Sequence, residues 1–176
     1  VLVPIFIKET YEIVAELNDR EIPFLFFNVN IEGFNNISYI GQKPFAAGAL
    51  SAQLLEMCTD SNDELLIVQT RKNIENYRAI SQRVVGFKHY FEKSKAKRNI
   101  HQLEFDGLID VKKTKSKINL YLKENKAIKG LLVPSSRISN ITSLIDDYYL
   151  SRLRLIGFDT TPQNCLLYTS PSPRDV

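Results

Sequence analysis

Apolar residues along this chain fall into short continuous runs separated by stretches of helical period, and the two alternate from end to end. Residues 1–6 (Val1-Leu2-Val3-Pro4-Ile5-Phe6) read as a buried strand. A polar amphipathic segment, 8–20, follows, with Tyr11, Val14 and Leu17 on one face. The next run, Ile22-Pro23-Phe24-Leu25-Phe26-Phe27, has a helix-disfavouring proline near its start and reads as another buried strand. Residues 37–40 make a short third strand. Phe45, Ala49, Ala52 and Leu55 then recur at helical intervals, with small residues on the packing face. Residues 65–68 return to strand, and Ile80, Val84, Phe87 and Phe91 form a strong helical stripe.

The second half repeats the alternation. It predicts a strand over 100–105, a helix over 118–124 and a strand Leu131-Leu132-Val133 opened by Gly130. A helix faced by Ile138, Ile141, Ile145 and Tyr148 comes next, then a last strand over 154–158. Apolar strands alternating with helices predict an α/β fold in three layers, its parallel sheets covered on both faces. Such sheets bind ligands in the crevice beyond the carboxyl ends of their strands. The candidate binding residues are therefore those just after each strand: Asn28, Gln42, Thr70, Ser135 and Asp159.

Composition narrows the function classes. With 176 residues, 44% hydrophobic and 24% charged, the chain has an ordinary soluble composition for one moderate domain or two small lobes. A net charge of +3 is too weak to argue for nucleic acid. The most basic stretch, 88–117, holds nine Lys/Arg against four acids, but it is interleaved with helix and strand patterns and reads as a solvated face. Cys58 and Cys165 make neither a disulfide framework nor a zinc fold, and His89 with His101 cannot supply a histidine metal site. Cys58, at the end of an apolar helix, reads as a small buried hydrophobe. The seven glycines form no phosphate loop, and no G-x-S-x-G elbow occurs. The pair Asp146-Asp147 reads as a solvated end of a helix. The expectation is a protein without metal, cofactor or catalytic residue, and not an enzyme. No apolar run approaches the roughly 20 residues of a membrane span, and the opening run lacks a signal peptide's basic leader.

Three ordered motifs stand above this background. They are Ser81-Gln82-Arg83-Val84-Val85-Gly86-Phe87, Lys129-Gly130-Leu131-Leu132-Val133-Pro134-Ser135-Ser136 and Leu155-Ile156-Gly157-Phe158-Asp159. Together they resemble the effector-binding core of the lactose-repressor (LacI) family of transcriptional regulators, which has the type 1 periplasmic-binding-protein fold. The segment Ile22–Asn28, then Ile40-Gly41-Gln42 and Gly48, resembles the part of that family where the chain passes between lobes. The resemblance covers roughly residues 1–163. It implies an expected division into the end of an N-terminal lobe (1–42), most of a C-terminal lobe (43–163), and a foreign or disordered tail (164–176) without helical or strand period. The strand that opens at Val1 without lead-in reads as a chain entered partway through its first lobe.

The resemblance also implies a sugar or related polyol between the lobes. Arg83 would donate to ligand oxygens, since guanidinium offers five donors in a fixed fork suited to neighbouring hydroxyls. The alternative for Arg83 is a surface salt bridge. Asp159 would accept from adjacent hydroxyls, or else cap the helix that follows. Asn28, Ser135 and Gln42 complete the expected ligand set, though Asn28 and Ser135 could equally serve to turn the chain. Many relatives carry an acid where Lys43-Pro44 stands here, a change that would favour an anionic or modified sugar. By the same resemblance, the intact protein would be a cytoplasmic homodimer that meets operator DNA through an N-terminal head lying outside this chain. A periplasmic binding protein of a sugar ABC transporter, sharing fold and cleft, is the second reading. A flavodoxin-like enzyme is the third, and the phosphate-binding or acid/base residues it would need after the strands are not found.

Overall fold

A computed structural model of the chain describes residues 1–4, 7–71, 78–94 and 97–169. Helix α1 (Ile7–Asp19) leads into strand β1 (Leu25–Phe27), which pairs in parallel with β2 (Ser38–Ile40). Val14, Phe24, Phe26 and Ile31 form a small apolar core beneath this pair. The expected opening strand is reduced to a single parallel bridge between Leu2 and Phe26. Leu2 N–H donates to the Leu25 carbonyl (2.9 Å), and Phe27 N–H donates to the Leu2 carbonyl (2.8 Å). Pro4 has no N–H with which to extend the ladder, and Ile5 and Phe6 lie outside the described residues. The run at 22–27 likewise narrows to Leu25–Phe27, since Pro23 cannot donate.

The larger unit is built from α2 (Pro44–Cys58), β3 (Glu64–Gln69), α3 (Arg78–Lys93), β4 (Ile100–Glu104), α4 (Val111–Glu124) and β5 (Ile128–Leu132). It continues through α5 (Ile138–Thr142), α6 (Asp147–Leu150), β6 (Arg154–Ile156) and α7 (Pro162–Thr169). Its four strands are all parallel, in the order β4-β3-β5-β6. Alternate side chains of a strand point to opposite faces, and β3 and β5 bury both. Leu66, Val68 and Leu131 pack with Ile118, Leu122, Ile138 and Ile141 on one side. Leu65, Ile67 and Leu132 pack with Ala52, Leu55, Val84, Phe87 and Phe91 on the other. Helices therefore cover both faces of a parallel sheet, the three-layer arrangement expected from continuous apolar runs.

Helices α2 and α3 pack backbone to backbone. A Cβ on Gly48 would stand 1.9 Å from the Arg83 carbonyl oxygen, and one on Gly86 would stand 2.0 Å from that of Phe45. Each helix thus offers the other a glycine at the contact, which fixes where the Arg83 backbone lies.

Four local expectations need correction. Gly130 does not open β5 but sits within it, opposite Leu65 and Arg154, and a Cβ there would meet the Leu65 side chain at 2.5 Å. Helix α4 starts well before residue 118, because the Asp110 carboxylate accepts from Lys113 N–H (2.9 Å) and caps it. The helix expected across 138–148 is two short ones. Asp146 between them is extended (φ −66°, ψ 141°). Its N–H donates to Asn119 Oδ1 (2.8 Å), a tertiary partner that outcompetes a helical one. Tyr148 is consequently exposed rather than on the core face. Finally, the patternless tail expected from residue 164 is helical as far as Thr169, held by a buried Asn164, while residues 170–176 lie outside the described ones.

Candidate functional site

The carboxyl ends of β1, β2, β5 and β6 bring most of the expected residues together, and Arg83 is their hub. Position 83 is on the second turn of α3, and its guanidinium extends past the helix to three different loops. Nη1 donates to the Pro134 carbonyl after β5 (3.0 Å), and Nη2 donates to Gln42 Oε1 after β2 (2.9 Å). The guanidinium carbon lies 3.9 Å from the centre of the Phe158 ring, which follows β6. Stacking of this kind contributes about 0.5–2 kcal/mol and holds the planar group in one orientation. Arg83 is half-buried and belongs to none of the ion pairs among the described residues. The surface salt bridge is thereby set aside.

Electrostatics agree with the geometry. Burial pulls the proton affinity of Arg83 below that of a free guanidinium, while the charges of Asp159 and Tyr39 oppose the shift. Burial also raises the Tyr39 phenol above its ordinary value, an effect the Arg83 cation partly offsets. Arg83 Nε and Ser135 Oγ are buried without a hydrogen-bond partner. A buried polar atom left unmatched costs about 1–3 kcal/mol; Gln69 Nε2 and Arg98 Nε share this state among the described residues.

Asp159 and Asn28 share a second signature, a left-handed backbone at φ 67° and φ 66° respectively. Non-glycine residues there are uncommon, and such strain clusters at functional positions. Asp159 does not cap α7. Thr161 does so, its Oγ1 accepting from Asn164 N–H (3.3 Å), which leaves the Asp159 carboxylate exposed beside the guanidinium. Asn28 reaches the cluster through Tyr39, whose hydroxyl faces two carbonyls, those of Asn28 (3.2 Å) and Gln42 (2.8 Å). Asn28, Tyr39, Lys43, Phe45, Arg78 and Gln82 line a neighbouring cleft of about 380 Å³, to which Arg83, Gln42, Ser135 and Asp159 contribute no lining. Thr70 is not brought in: it is buried, and its carbonyl accepts from Gly107 N–H (3.0 Å) in the loop after β4.

Three contributors were missed by taking only the residue after each strand. Tyr39 is the inward member of the 37–40 alternation. Phe158 sits inside the Gly157-Phe158-Asp159 motif, next to the aspartate. Asn164, 1% exposed, brings its Nδ2 within 3.0 Å of the carbonyls of Ser136, Phe158 and Asp159, while its Oδ1 accepts from Ser139 N–H (3.3 Å). It ties the loop after β5 to the loop after β6 and so sets Ser135 and Asp159 in place. Its signal was a polar residue at fixed distance beyond the strand, too general to single out. Among the described residues no cluster of His, Cys, Asp and Glu could hold a metal ion, and no helix is long and apolar enough to cross a membrane.

Parallel sheets with a ligand-sized cleft at their carboxyl ends, lined by convergent polar groups, define a ligand-binding protein of the periplasmic-binding type. The model of the Periplasmic binding protein domain family matches residues 1–170, and the chain belongs to that family. None of the curated proteins matches the chain. Solved structures similar in fold include a protein from Bacteroides fragilis assigned to the LacI transcriptional regulators. It has 19% identity and TM-score 0.75, over 90% of this chain and 54% of that one. Another is the periplasmic component of an ABC-type sugar transport system from Hahella chejuensis, with 25% identity and TM-score 0.64, over 88% of this chain and 56% of that one. A third is the sugar-binding protein of a sugar ABC transporter from Bacillus halodurans, with 19% identity and TM-score 0.67, over 86% and 51%. The chain therefore spans about half the length of these neighbours, whose family is one of binding proteins and sensors.

Proposed function

We propose that this chain is the sugar-sensing core of a LacI-type transcriptional regulator, and that Arg83, Asp159, Asn28, Ser135 and Gln42 bind the effector. The observation that carries the reading is the Arg83 guanidinium, stacked on Phe158 and flanked by the unmatched Ser135 hydroxyl and the exposed Asp159 carboxylate. Arg83 Nε and Ser135 Oγ supply donors, Asp159 accepts, and the Phe158–guanidinium stack supplies a flat wall. A saccharide ring presents complements to all three. In this reading 1–42 closes the N-terminal lobe and 43–163 forms most of the C-terminal lobe. Ligand bound across them favours the closed arrangement in proportion to its extra affinity for that state. In a cytoplasmic homodimer that shift alters the spacing of paired DNA-binding heads and hence operator affinity.

A second reading, a substrate-binding protein of a sugar ABC transporter, is favoured by the structural neighbours that carry that role. Neither Cys58 nor Cys165 takes part in a disulfide, in keeping with a reducing compartment and the first reading. Calorimetric titration of the full-length protein against monosaccharides, uronates and polyols tests the site. Arg83→Ala and Asp159→Ala should each lower affinity for the cognate compound at least about tenfold, equal to about 1.4 kcal/mol. If both variants bind it as the parent does, the site is elsewhere. Retardation of promoter DNA that responds to the same sugar supports the regulator; transport dependence without DNA retardation supports the transporter reading.

A further inference from the structure

At the opposite end of the large sheet, the amino-terminal end, the four basic side chains Lys123, Lys126, Lys129 and Arg152 surround a hollow of about 390 Å³ together with Tyr148 and Tyr149. Leu122, Ile128 and Leu153, all buried, form its floor, so the backbone that carries the cations is anchored in the core. None of the four cations takes part in an ion pair among the described residues, and no Asp or Glu lines the hollow. Chance surface charge is ordinarily mixed in sign. Lys129 and Arg152 also line an adjoining hollow with Arg154, where Asp60 and Asp63 are the only acids. Arg152 packs its guanidinium over the Tyr148 ring at 4.2 Å, and the Tyr148 and Tyr149 rings meet edge to face at 5.1 Å. One guanidinium is thus stacked on a ring with three ammonium groups around it.

We propose that this hollow is a second ligand site that binds a small organic phosphate. A dianionic phosphate matches a guanidinium fork with ammonium groups around it, because charge-assisted bonds to such oxygens are the short, strong ones. The tyrosine edges and apolar floor accept the ring of the molecule that carries the phosphate. The volume falls within the usual range of ligand pockets, about 300–1,000 Å³. Strand β5 and the residues just after it lead from this hollow at Ile128 and Lys129 to Pro134 and Ser135 beside Arg83, about 20 Å by the rise of a strand. The two sites are therefore separate, joined by one rigid element.

Titration calorimetry of the 176-residue chain at low salt tests it, with adenosine 5′-monophosphate, inorganic pyrophosphate and uncharged adenosine as probes. Both phosphate probes should bind, adenosine should bind at least tenfold more weakly than its monophosphate, and added salt should weaken the phosphate probes only. Lys126→Gln with Arg152→Gln, both exposed positions outside the core, should reduce monophosphate affinity at least tenfold. Arg83→Gln should leave it unchanged, which separates this site from the sugar cleft. The proposal fails if neither phosphate probe binds, if adenosine binds as well as its monophosphate, or if the double variant binds as the parent does.

Discussion

Asn164 is a single amide on which two loops of the candidate site depend. It is buried, gathers three carbonyls and accepts one N–H, so a truncation leaves several backbone groups without partners. Asn164→Ala should cost about 1–3 kcal/mol of stability, read as a lower midpoint of thermal unfolding. It should also weaken ligand binding, although Asn164 itself lines no part of the 380 Å³ cleft. Arg83→Lys makes the complementary case. An ammonium cannot bridge the Pro134 carbonyl and Gln42 Oε1 in one plane while lying flat on Phe158. Binding should drop by more than the roughly 0.5–2 kcal/mol of stability that loss of the stack costs the fold. An equal loss of stability and binding in Arg83→Lys would make the residue a structural strut.

Among the elements, the α2–α3 crossing is the most sensitive to size. Gly48→Ala or Gly86→Ala puts a methyl against a carbonyl oxygen of the facing helix, and overpacking of that kind costs about 1–3 kcal/mol. Each should lower the midpoint of urea unfolding; an unchanged midpoint would show that the helices can part freely. At the other end of the sheet, Glu64 links β3 to β4 by accepting from Asn99 Nδ2 (2.9 Å) and meeting His101 Nε2 at 2.6 Å, while His101 Nδ1 meets the Tyr121 hydroxyl at 2.7 Å. The Asn99 hydrogen bond, then that of His101, holds the Glu64 carboxyl below its ordinary range. A depressed carboxylate contributes stability above its unfolded pKa and loses it as pH falls through the folded value. Unfolding midpoints followed from pH 6 to pH 3 should therefore fall more steeply for the parent than for Glu64→Gln. Parallel curves would deny the link.

These elements were read from the sequence with uneven success, and the failures have physical reasons. Continuous apolar runs located β3, β5 and β6, and the stripe Ile80, Val84, Phe87 and Phe91 located α3, because both patterns report burial directly. The break between α5 and α6 was invisible, since it depends on Asn119 reaching across from α4 to Asp146. Gly130 was read as a strand opener because glycine commonly punctuates structure, whereas here it makes room for Leu65. For the candidate site, the position after each strand points to Asn28, Gln42, Ser135 and Asp159 and the motif points to Arg83, residues that lie toward the carboxyl ends of the strands. That rule could not find Tyr39 or Asn164, which contribute by supporting other residues.

On the scale of the whole molecule, the two sheets differ in how well they are held. The four-stranded sheet buries both faces, while β1 and β2 stand on a small core with Phe27, Ile37 and Ile40 exposed. Two strands alone are marginal, and local opening follows the least buried contacts. Amide hydrogen exchange should be faster by at least tenfold over residues 25–27 and 38–40 than over 65–68 and 130–132; equal protection would mean that both open as one unit. Since Asn28 and Gln42 sit on the weaker sheet and Arg83 and Ser135 on the firmer one, a ligand that spans them should slow exchange most in the weaker half. Whether a saccharide seats on Arg83 at the carboxyl ends of these strands is read from backbone amide NMR during titration with the sugar that calorimetry selects. The largest shifts should fall at residues 28, 42, 83, 135 and 159; shifts confined to other parts of the chain, with these five unmoved, would place the ligand elsewhere.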